Sequence, residues 1–322
     1  MSRLDFEKPI GKLEDKINEL KSFNSEEKAN LNPEIKKLEE KLGKLKKQVY
    51  GDLSPWQRIQ IARHSDRPYT LDYIRLILNN FIELHGDRLF SDDPALIAGL
   101  ATIDGQKVMV MGHQKGRDVK ENIMRHFGCA HPEGYRKAMR LMHFAEKFNL
   151  PIVIFIDTPG AYPGIGAEER GQAQAIASNL KDMAQIKVPI IAVVIGEGGS
   201  GGALGIGVAD KVLILQHAYY SVISPEGCAS ILWRNSVRAP DAAKALRIMG
   251  EDLVEFGIVD EIIPEPLGGA HRDPEAIATD VKKIILKHLK KMQEIPDSKL
   301  LDSRYERFRK MGEFQETQPS SK

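Results

Sequence analysis

Two short apolar segments in the middle of the chain each run directly into a glycine-rich turn. The first, Ile152–Ile156, continues into Asp157–Gly164, which has the sequence DTPGAYPG. The second, Ile190–Ile195, continues into Gly196–Ala203, which has the sequence GEGGSGGA. Uninterrupted apolar runs of this length are typical of buried strands in a parallel sheet. The sequence therefore predicts an α/β protein with two strand-to-helix turns.

These turns are predicted to carry backbone N–H groups that lack a carbonyl partner. The first N–H groups of a helix have no acceptor inside it, and the helix dipole adds partial positive charge there. Glycine has no Cβ, so a reacting group can approach the backbone closely. Two such turns facing one another would stabilise negative charge that develops on an oxygen atom. We therefore predict an oxyanion hole that needs no side-chain nucleophile.

A dinucleotide-binding motif is one alternative for the second turn. Gly196, Gly198 and Gly201 match the spacing GxGxxG after a strand. However, the next apolar segment begins already at Lys211, which leaves room for only a short crossover helix. Gln216-His217 stand where an acid should bind the ribose. Nucleotide binding is therefore the weaker interpretation.

A nucleophile elbow is a second alternative, because the sequence GGSGG around Ser200 also fits GxSxG. Asp260, followed by His271 or His288, would complete the chain order of a serine hydrolase. Those residues are predicted to lie in a loop and a terminal helix, and nothing in the sequence places them near Ser200. A small turn or capping residue is the simpler role for this serine.

Composition excludes several classes of protein. The 46 Lys and Arg residues nearly balance 45 Asp and Glu residues, so the net charge of +1 gives no signature of nucleic-acid binding. No apolar run has the length of a membrane span, and the N-terminus lacks the apolar core of a signal peptide. The two cysteines, Cys129 and Cys228, form no CxxC pair. A reduced cytoplasmic protein without a membrane or nucleic-acid partner is expected.

Three regions are predicted: a helical hairpin over 1–50, a core over 51–270, and a C-terminal helical extension over 271–322. In the hairpin, apolar residues recur every three or four positions and a break is expected at Phe23-Asn24-Ser25. A coiled coil that binds a partner is the alternative for this region, in which case the chain would be an assembly scaffold. The tail from Thr317 is expected to be disordered.

The remaining elements follow from the apolar pattern. A helix is predicted with Ile74, Leu78, Phe81 and Ile82 on one side, and a β-hairpin is predicted to turn at Asp104-Gly105. Further expected elements are strands at 95–103, 106–111, 188–195 and 211–215 and helices at 133–148, 167–184, 201–209, 274–293 and 297–312.

Six segments together resemble a known family. They are GHQKGRD, PEGYRKAMRLMHFAEKFNLP, DTPGAYPG, GEGGSGGALGIGVADKVLIL, HAYYSVISPEG and GIVDEIIPEPLGGAHRDP. The glycine-rich helix start with its following strand and Pro-Glu element resembles the crotonase superfamily. The full set is similar to the alpha subunits of bacterial acetyl-CoA carboxylase carboxyltransferase, over nearly the whole chain. The resemblance implies a crotonase-like spiral core of β–β–α units.

The resemblance also implies an activity, which is the transfer of a carboxyl group from carboxybiotin on a carrier protein to acetyl-CoA, giving malonyl-CoA for fatty acid biosynthesis. The implied partners are a zinc-containing beta subunit in an α2β2 assembly, the biotin carboxyl carrier protein, and a biotin carboxylase that uses ATP. By motif position, the oxyanion hole for the ureido oxygen would comprise the backbone N–H groups of Gly160, Ala161, Gly201 and Gly202.

Further residues are expected to contact substrate. They are Tyr162, Gly198, Gly199, Ser200 and three residues of the loop HQKGR, namely His113, Lys115 and Arg117. The loop charges would hold biotin or a CoA phosphate; the alternative is that they are simply solvated.

Residues that depart from the superfamily pattern limit the reactions that this chain is expected to catalyse. Leu204 stands where superfamily hydratases carry a catalytic glutamate, so hydration is not expected. Glu226 lies near the position of their second carboxylate, but one carboxylate cannot form an acid–base pair, and a supporting role is expected. Cys129 with His126 and His131 is too sparse for a zinc site, so no metal is expected in this chain. No phosphate-binding loop for ATP is present.

Overall fold

The computed structural model describes residues 4–26 and 31–312. The β-strands in this part of the chain are β1 (Asn79–Glu83), β2 (Leu96–Ile103), β3 (Gln106–His113), β4 (Ile152–Thr158), β5 (Ile190–Gly199), β6 (Lys211–Leu215), β7 (Tyr219–Ser221) and β8 (Glu261–Ile263). The α-helices are α1 (Lys8–Glu26), α2 (Asn32–Gly51), α3 (Pro55–Ala62), α4 (Thr70–Ile77), α5 (Val119–Met124), α6 (Pro132–Lys147), α7 (Ile165–Glu169), α8 (Gln172–Met183), α9 (Ser200–Leu204), α10 (Pro225–Trp233), α11 (Ala239–Leu246), α12 (Gly250–Glu255), α13 (Pro274–Gln293) and α14 (Asp297–Arg309).

One mixed sheet organises the molecule, with the strand order β1-β2-β3-β4-β5-β6-β8 and β7 paired to β5. The first three strands are antiparallel, whereas β3 to β6 and β8 run parallel. The predicted parallel sheet is therefore confirmed at its centre. Because β4 and β5 are neighbours, with Thr158 in register with Gly198, the two glycine-rich turns leave the same end of the sheet.

The predicted hairpin between β2 and β3 is confirmed, with Ile103 paired to Gln106. Both turn residues have left-handed backbone angles, φ 46° at Asp104 and φ 79° at Gly105. A turn of this kind matches the twist of the strands and favours glycine at its second position.

We expect Gly105→Ala to destabilise the protein by about 1–2 kcal/mol, because an L-residue there must adopt the left-handed conformation. A Cβ at Gly105 would meet no atom within 4 Å, so backbone strain is the only cause. Urea unfolding of the variant beside Gly43→Ala, where a Cβ also meets open space but φ is not positive, measures the effect. Equal stability of the two variants would contradict the predicted destabilisation.

Two helices predicted before the second glycine-rich segment are wrong in their extent. The helix expected to include Phe81 and Ile82 ends at Ile77, and these residues belong to β1, where Ile82 pairs with Leu100. The open edge of β2 supplies backbone partners there, which a helical pattern cannot reveal. The helix expected over 167–184 is two helices, since Gly171 between them has φ 83°.

The second glycine-rich segment is also more extended than predicted. The strand β5 continues through Gly199, and α9 covers only five residues rather than 201–209. The reason is β7, because Gly198 and Gly199 pair with Tyr220 and Ser221. The glycines up to position 199 therefore belong to a buried strand, and the turn proper begins at Ser200.

The N-terminal helices α1 and α2 form the predicted antiparallel hairpin. Ion pairs join Lys21 to Glu39 and Lys46 to Glu14, so the two helices run in opposite directions. The break expected at residues 23–25 is wrong, because α1 runs on to Glu26. Residues 27–30 and the predicted disordered tail lie outside the described residues.

The C-terminal helix α13 packs into the main hydrophobic core. Its fully buried residues Ile277, Val281, Ile285 and Leu289 belong to the same apolar cluster as the central strands. Its bounds, and those of α14 to within three residues, agree with the predicted helices. None of the described helices combines the length and apolar character that crossing a membrane requires.

Candidate active site

The two glycine-rich turns touch one another. Gly202 lies so close to the Gly160–Ala161 peptide that a Cβ at residue 202 would be 2.5 Å from the Ala161 nitrogen. A Cβ at Gly199 would likewise overlap the backbone of Pro159 and Thr158. Glycine is therefore required at 199 and 202 for the close approach of the two backbones. The structure thus brings the four predicted hole residues together.

Open space adjoins the other two glycines. A Cβ at Gly160 would meet nothing within 4 Å, and one at Gly201 would meet only Ile176, at an ordinary contact distance of 3.5 Å. Protein packing does not demand glycine at either position. The space that a side chain would fill is therefore available to a ligand.

The N–H groups of the turns differ in availability. The Gly160 N–H donates to the Thr158 hydroxyl at 3.1 Å, so the prediction of a free donor at Gly160 is corrected. Among the described residues, the Ala161 N–H has no acceptor. Gly201 and Gly202 follow the first residue of α9, where a helix offers no carbonyl acceptor. The remaining candidate donors are thus Ala161, Gly201 and Gly202.

A buried lysine links the two strands that carry the turns. Lys115 Nζ lies 2.7 Å from Asp157 Oδ1, at the end of β4, and 2.7 Å from Glu197 Oε2, in β5. Asp157 Oδ1 also accepts the Glu197 N–H at 2.9 Å. Burial alone would lower the pKa of Lys115, but the two carboxylates raise it well above its usual value. The ammonium group therefore stays charged and ties β4 to β5.

An arginine extends this network. Arg63 Nε lies 2.7 Å from Glu197 Oε1, and another of its nitrogens lies 2.5 Å from Glu226 Oε1. The Tyr219 hydroxyl donates to Glu197 Oε1 at 2.6 Å. Arg63, Glu197 and Tyr219 were not predicted from the sequence, although a glutamate inside a buried glycine-rich strand was a signal. The supporting role expected for Glu226 agrees with its ion pair to Arg63.

The low pKa of Glu197 predicts that the unfolding free energy of the protein depends on pH. Burial alone would raise its pKa, but Lys115 and Arg63 lower it from 4.5 to about 2. The stabilisation is thus complete above pH 4.5 and is lost as the pH falls towards 2. Between pH 6 and pH 3 we expect the wild type to lose about 2 kcal/mol of unfolding free energy that Glu197→Gln does not lose. Urea unfolding at both pH values measures this, and parallel losses in the two proteins would contradict it.

The other charged and polar side chains of the 113–117 loop have protein surroundings. His113 is fully buried, and burial, together with the charge of Lys115, lowers its pKa to about 3. The Arg117 guanidinium donates to the carbonyls of Ser65 and Arg67, pairs with Asp72, and lies over the Tyr69 ring. The alternative that these charges are simply solvated is wrong for Lys115. Ligand binding by the loop stays a prediction, and the contacts favour a role in positioning.

Tyr162 and Ser200 flank the paired turns. The Tyr162 ring stacks on the His131 ring, with 4.0 Å between centroids. The backbone N–H of Tyr162 donates to the Ala130 carbonyl. Ser200 is exposed and has φ 49°, a left-handed conformation that is uncommon for serine. Strained, exposed residues of this kind occur at functional sites.

The structure does not supply Ser200 with the partners of a hydrolase. Asp260 pairs with Lys211 and Arg307, and His288 contacts Glu261. His271 is buried against the ring of His64. The serine-hydrolase interpretation therefore loses its acid–base partners. The dinucleotide motif fails as well, because Gly196 and Gly198 lie within β5.

A cavity of about 1040 Å³ opens beside the second turn. Ser200 and Gly201 form one wall, and its other walls are mostly apolar. Representative lining residues are Leu204, Val212, Leu253, Phe256 and Phe308. A volume of this size is large enough for a small organic ligand. The N–H groups at the start of α9 thus adjoin a site that a bulky group can enter.

Comparison with solved structures defines the class of fold. A transcarboxylase 12S structure matches with a TM-score of 0.55 at 20% identity, covering 84% of this chain and 47% of that one. A Pseudomonas malonate decarboxylase hetero-tetramer matches with a TM-score of 0.55 at 18% identity, covering 66% of this chain and 85% of that one. The molecule has the crotonase-like fold of carboxyltransferases.

Comparison at the sequence level is more specific. Residues 3–312 match the family model described as acetyl co-enzyme A carboxylase carboxyltransferase-like. The carboxyl transferase subunit alpha of Methylococcus capsulatus is 58% identical over 97% of this chain and 98% of that protein. The corresponding subunit of Thermus thermophilus is 54% identical over 97% of this chain and 99% of that protein. The chain belongs to the family of acetyl-CoA carboxylase carboxyltransferase alpha subunits.

Family membership identifies the enzyme and its general setting. The chain is a carboxyltransferase subunit that acts in fatty acid synthesis. Its partners include a beta subunit and a carrier that bears biotin.

Proposed function

We propose that the paired turns hold the ureido oxygen of carboxybiotin through main-chain N–H groups. The proposal rests on the contact between Gly202 and the Gly160–Ala161 peptide, which brings the backbones of Ala161, Gly201 and Gly202 close together. Of these three residues, Gly201 lines the cavity. The chemistry that bound carboxybiotin supplies is loss of its carboxyl group, with negative charge developing on the ureido oxygen. Each N–H donor aimed at such an oxygen is worth about 10²–10³ in rate.

Neighbouring residues support binding rather than chemistry in this proposal. Ser200 borders the cavity. Tyr162 lies in the first turn, and Gly198 and Gly199, buried in β5, allow the close approach of neighbouring residues beneath the turns. The apolar walls suit a ring system with an aliphatic arm, and the open space at Gly201 lets that ring reach the backbone. Lys115, with His113 and Arg117 nearby, holds the strands and loops in place. No side-chain base of this chain takes part.

The proposed assembly divides the reaction between subunits. This chain supplies the biotin half of the site, and a zinc-containing beta subunit supplies the half that binds acetyl-CoA, in an α2β2 complex. Biotin is charged with ATP at a biotin carboxylase and delivered on the carrier protein. The product is malonyl-CoA, and the assembly is cytoplasmic.

The experiment that tests the division is malonyl-CoA-dependent carboxylation of free biotin. The full chain is assayed alone, with the beta subunit, and with the beta subunit stripped of zinc, and gel filtration of the same samples reports the assembly. We expect activity only for the mixture with the intact beta subunit, eluting as one complex. Full activity of the chain alone, or co-elution without activity, would overturn the proposal.

A further inference from the structure

Three metal-ligating side chains converge beside the first glycine-rich turn. His131 Nδ1 lies 3.1 Å from His126 Nδ1, and His126 Nδ1 lies 3.3 Å from Asp93 Oδ1. One ligand atom from each of the three residues lies within 4.8 Å of the others. In a tetrahedral site with Zn–N and Zn–O bonds near 2.0–2.1 Å, neighbouring ligand atoms are about 3.3 Å apart. The His131–His126 and His126–Asp93 separations both match that spacing.

A single proton on His126 Nδ1 cannot give both of its close contacts a full hydrogen bond. His126 Nδ1 faces both the carboxylate oxygen and His131 Nδ1, and a neutral imidazole nitrogen carries at most one hydrogen. If that hydrogen points at the Asp93 carboxylate, His126 has no proton to donate to His131. If it points at His131, His126 has none to donate to Asp93. A metal ion would accept a lone pair from all three atoms at once.

The burial of the charged Asp93 side chain also favours a bound cation. Its carboxylate is only 1% exposed, and its oxygens accept the N–H groups of Ala95 and His131 at 2.9 and 2.7 Å. Across residues 4–26 and 31–312, no lysine or arginine forms an ion pair with it; Lys137 binds its carbonyl and pairs with Asp92 instead. A buried carboxylate without a cationic partner is costly, and a bound cation would remove that cost.

The backbone around His126 is held in an uncommon conformation. His126, Phe127 and Gly128 have successive φ values of 49°, 54° and 78°. Two of these are non-glycine residues in the left-handed region, where strain is typically associated with function. The strained segment places the His126 ring edge-on to the His131 ring, 4.2 Å between centroids. The arrangement of the two imidazoles is thus imposed by the fold.

We propose that Asp93, His126 and His131 bind a divalent transition-metal ion of the zinc type, with its remaining positions open to water. A set of two imidazoles and one carboxylate suits such ions. The His126 side chain is 28% exposed, which gives the ion a route from solvent. The ion would also fix the ring on which Tyr162 stacks, and so brace the turn that carries Ala161.

This inference revises the sequence-based expectation of no metal in the chain. That expectation weighed His126 and His131 with Cys129, whereas the third ligand is Asp93, far upstream. Cys129 is not a member of the cluster. Only the tertiary structure brings the loop before β2 against the start of α6.

Metal titration of the full chain, without a beta subunit, tests the proposal. Chelated and dialysed protein is titrated with Co²⁺ and read by visible absorption, and then with Zn²⁺ in competition. We expect one Co²⁺ site per chain, displaced by Zn²⁺, and an affinity about 100-fold lower or worse in His126→Gln. The matched control is His143→Gln, since that histidine is 52% exposed and lies outside the cluster.

Thermal unfolding with and without Zn²⁺ provides a second readout, because an ion that binds only the folded state raises the midpoint. The rise should occur in the wild type and His143→Gln and be absent in His126→Gln, with circular dichroism confirming that the variants fold. If the cluster holds only a shared proton, the wild type will show no Co²⁺ spectrum and no Zn²⁺-dependent shift, and the proposal is wrong.

Discussion

Replacing Gly201 by valine should lower malonyl-CoA formation by the reconstituted enzyme at least about 10²–10³-fold, the cost of removing one oxyanion donor. The branched side chain would occupy the open space beside Gly201 and keep the ureido oxygen from the main-chain N–H groups. The fold should survive, because a Cβ at this position meets only Ile176 at 3.5 Å. Carboxylation assays and circular dichroism on the same preparation measure both effects.

Two further variants make the test specific. Gly201→Ala adds a single methyl group and should have a smaller effect than valine. Gly43→Val is the matched control, because Gly43 is an exposed residue of α2 whose Cβ would meet nothing within 4 Å. Full activity of Gly201→Val would eliminate the backbone mechanism, whereas equal losses in Gly43→Val would show that the effect is not local.

Replacing Lys115 by methionine should destabilise the protein by about 3–5 kcal/mol, since it leaves the buried carboxylates of Asp157 and Glu197 without their shared cation. These residues lie on the two strands that carry the glycine-rich turns, so the turns should also separate. Carboxyl transfer should therefore fall even where the variant remains folded. Urea unfolding gives the stability loss, and assays well below the unfolding midpoint give the activity loss.

The control for this variant is Lys211→Met. Lys211 also pairs with a carboxylate, Asp260 at 2.9 Å, but its side chain is 38% exposed. Exposed pairs of this kind contribute about 0–1 kcal/mol. If the two variants lost similar stability, the Lys115 network would not be the buried connection described here.

The amino-acid sequence by itself determined the elements whose signals are local. The apolar runs at 152–156 and 190–195 identified the central strands, because strands buried on both faces need apolar side chains throughout. Asp104-Gly105 identified its turn because few residues tolerate positive φ. The six quoted segments identified the family. The hole residues were expected from the motif positions that the family resemblance implies, and their role stays a prediction.

Only the tertiary structure decided which groups meet. Lys115 was predicted to bind a ligand, yet its ammonium group is held by carboxylates from two different strands, a pairing that depends on their register. The Gly160 N–H was predicted to be a free donor, but a hydroxyl two residues earlier accepts it. Phe81 and Ile82 fit a helix by spacing and became a strand because an open sheet edge lay beside them. Contacts between distant segments are set by packing, so the periodicity of apolar residues along the chain does not predict them.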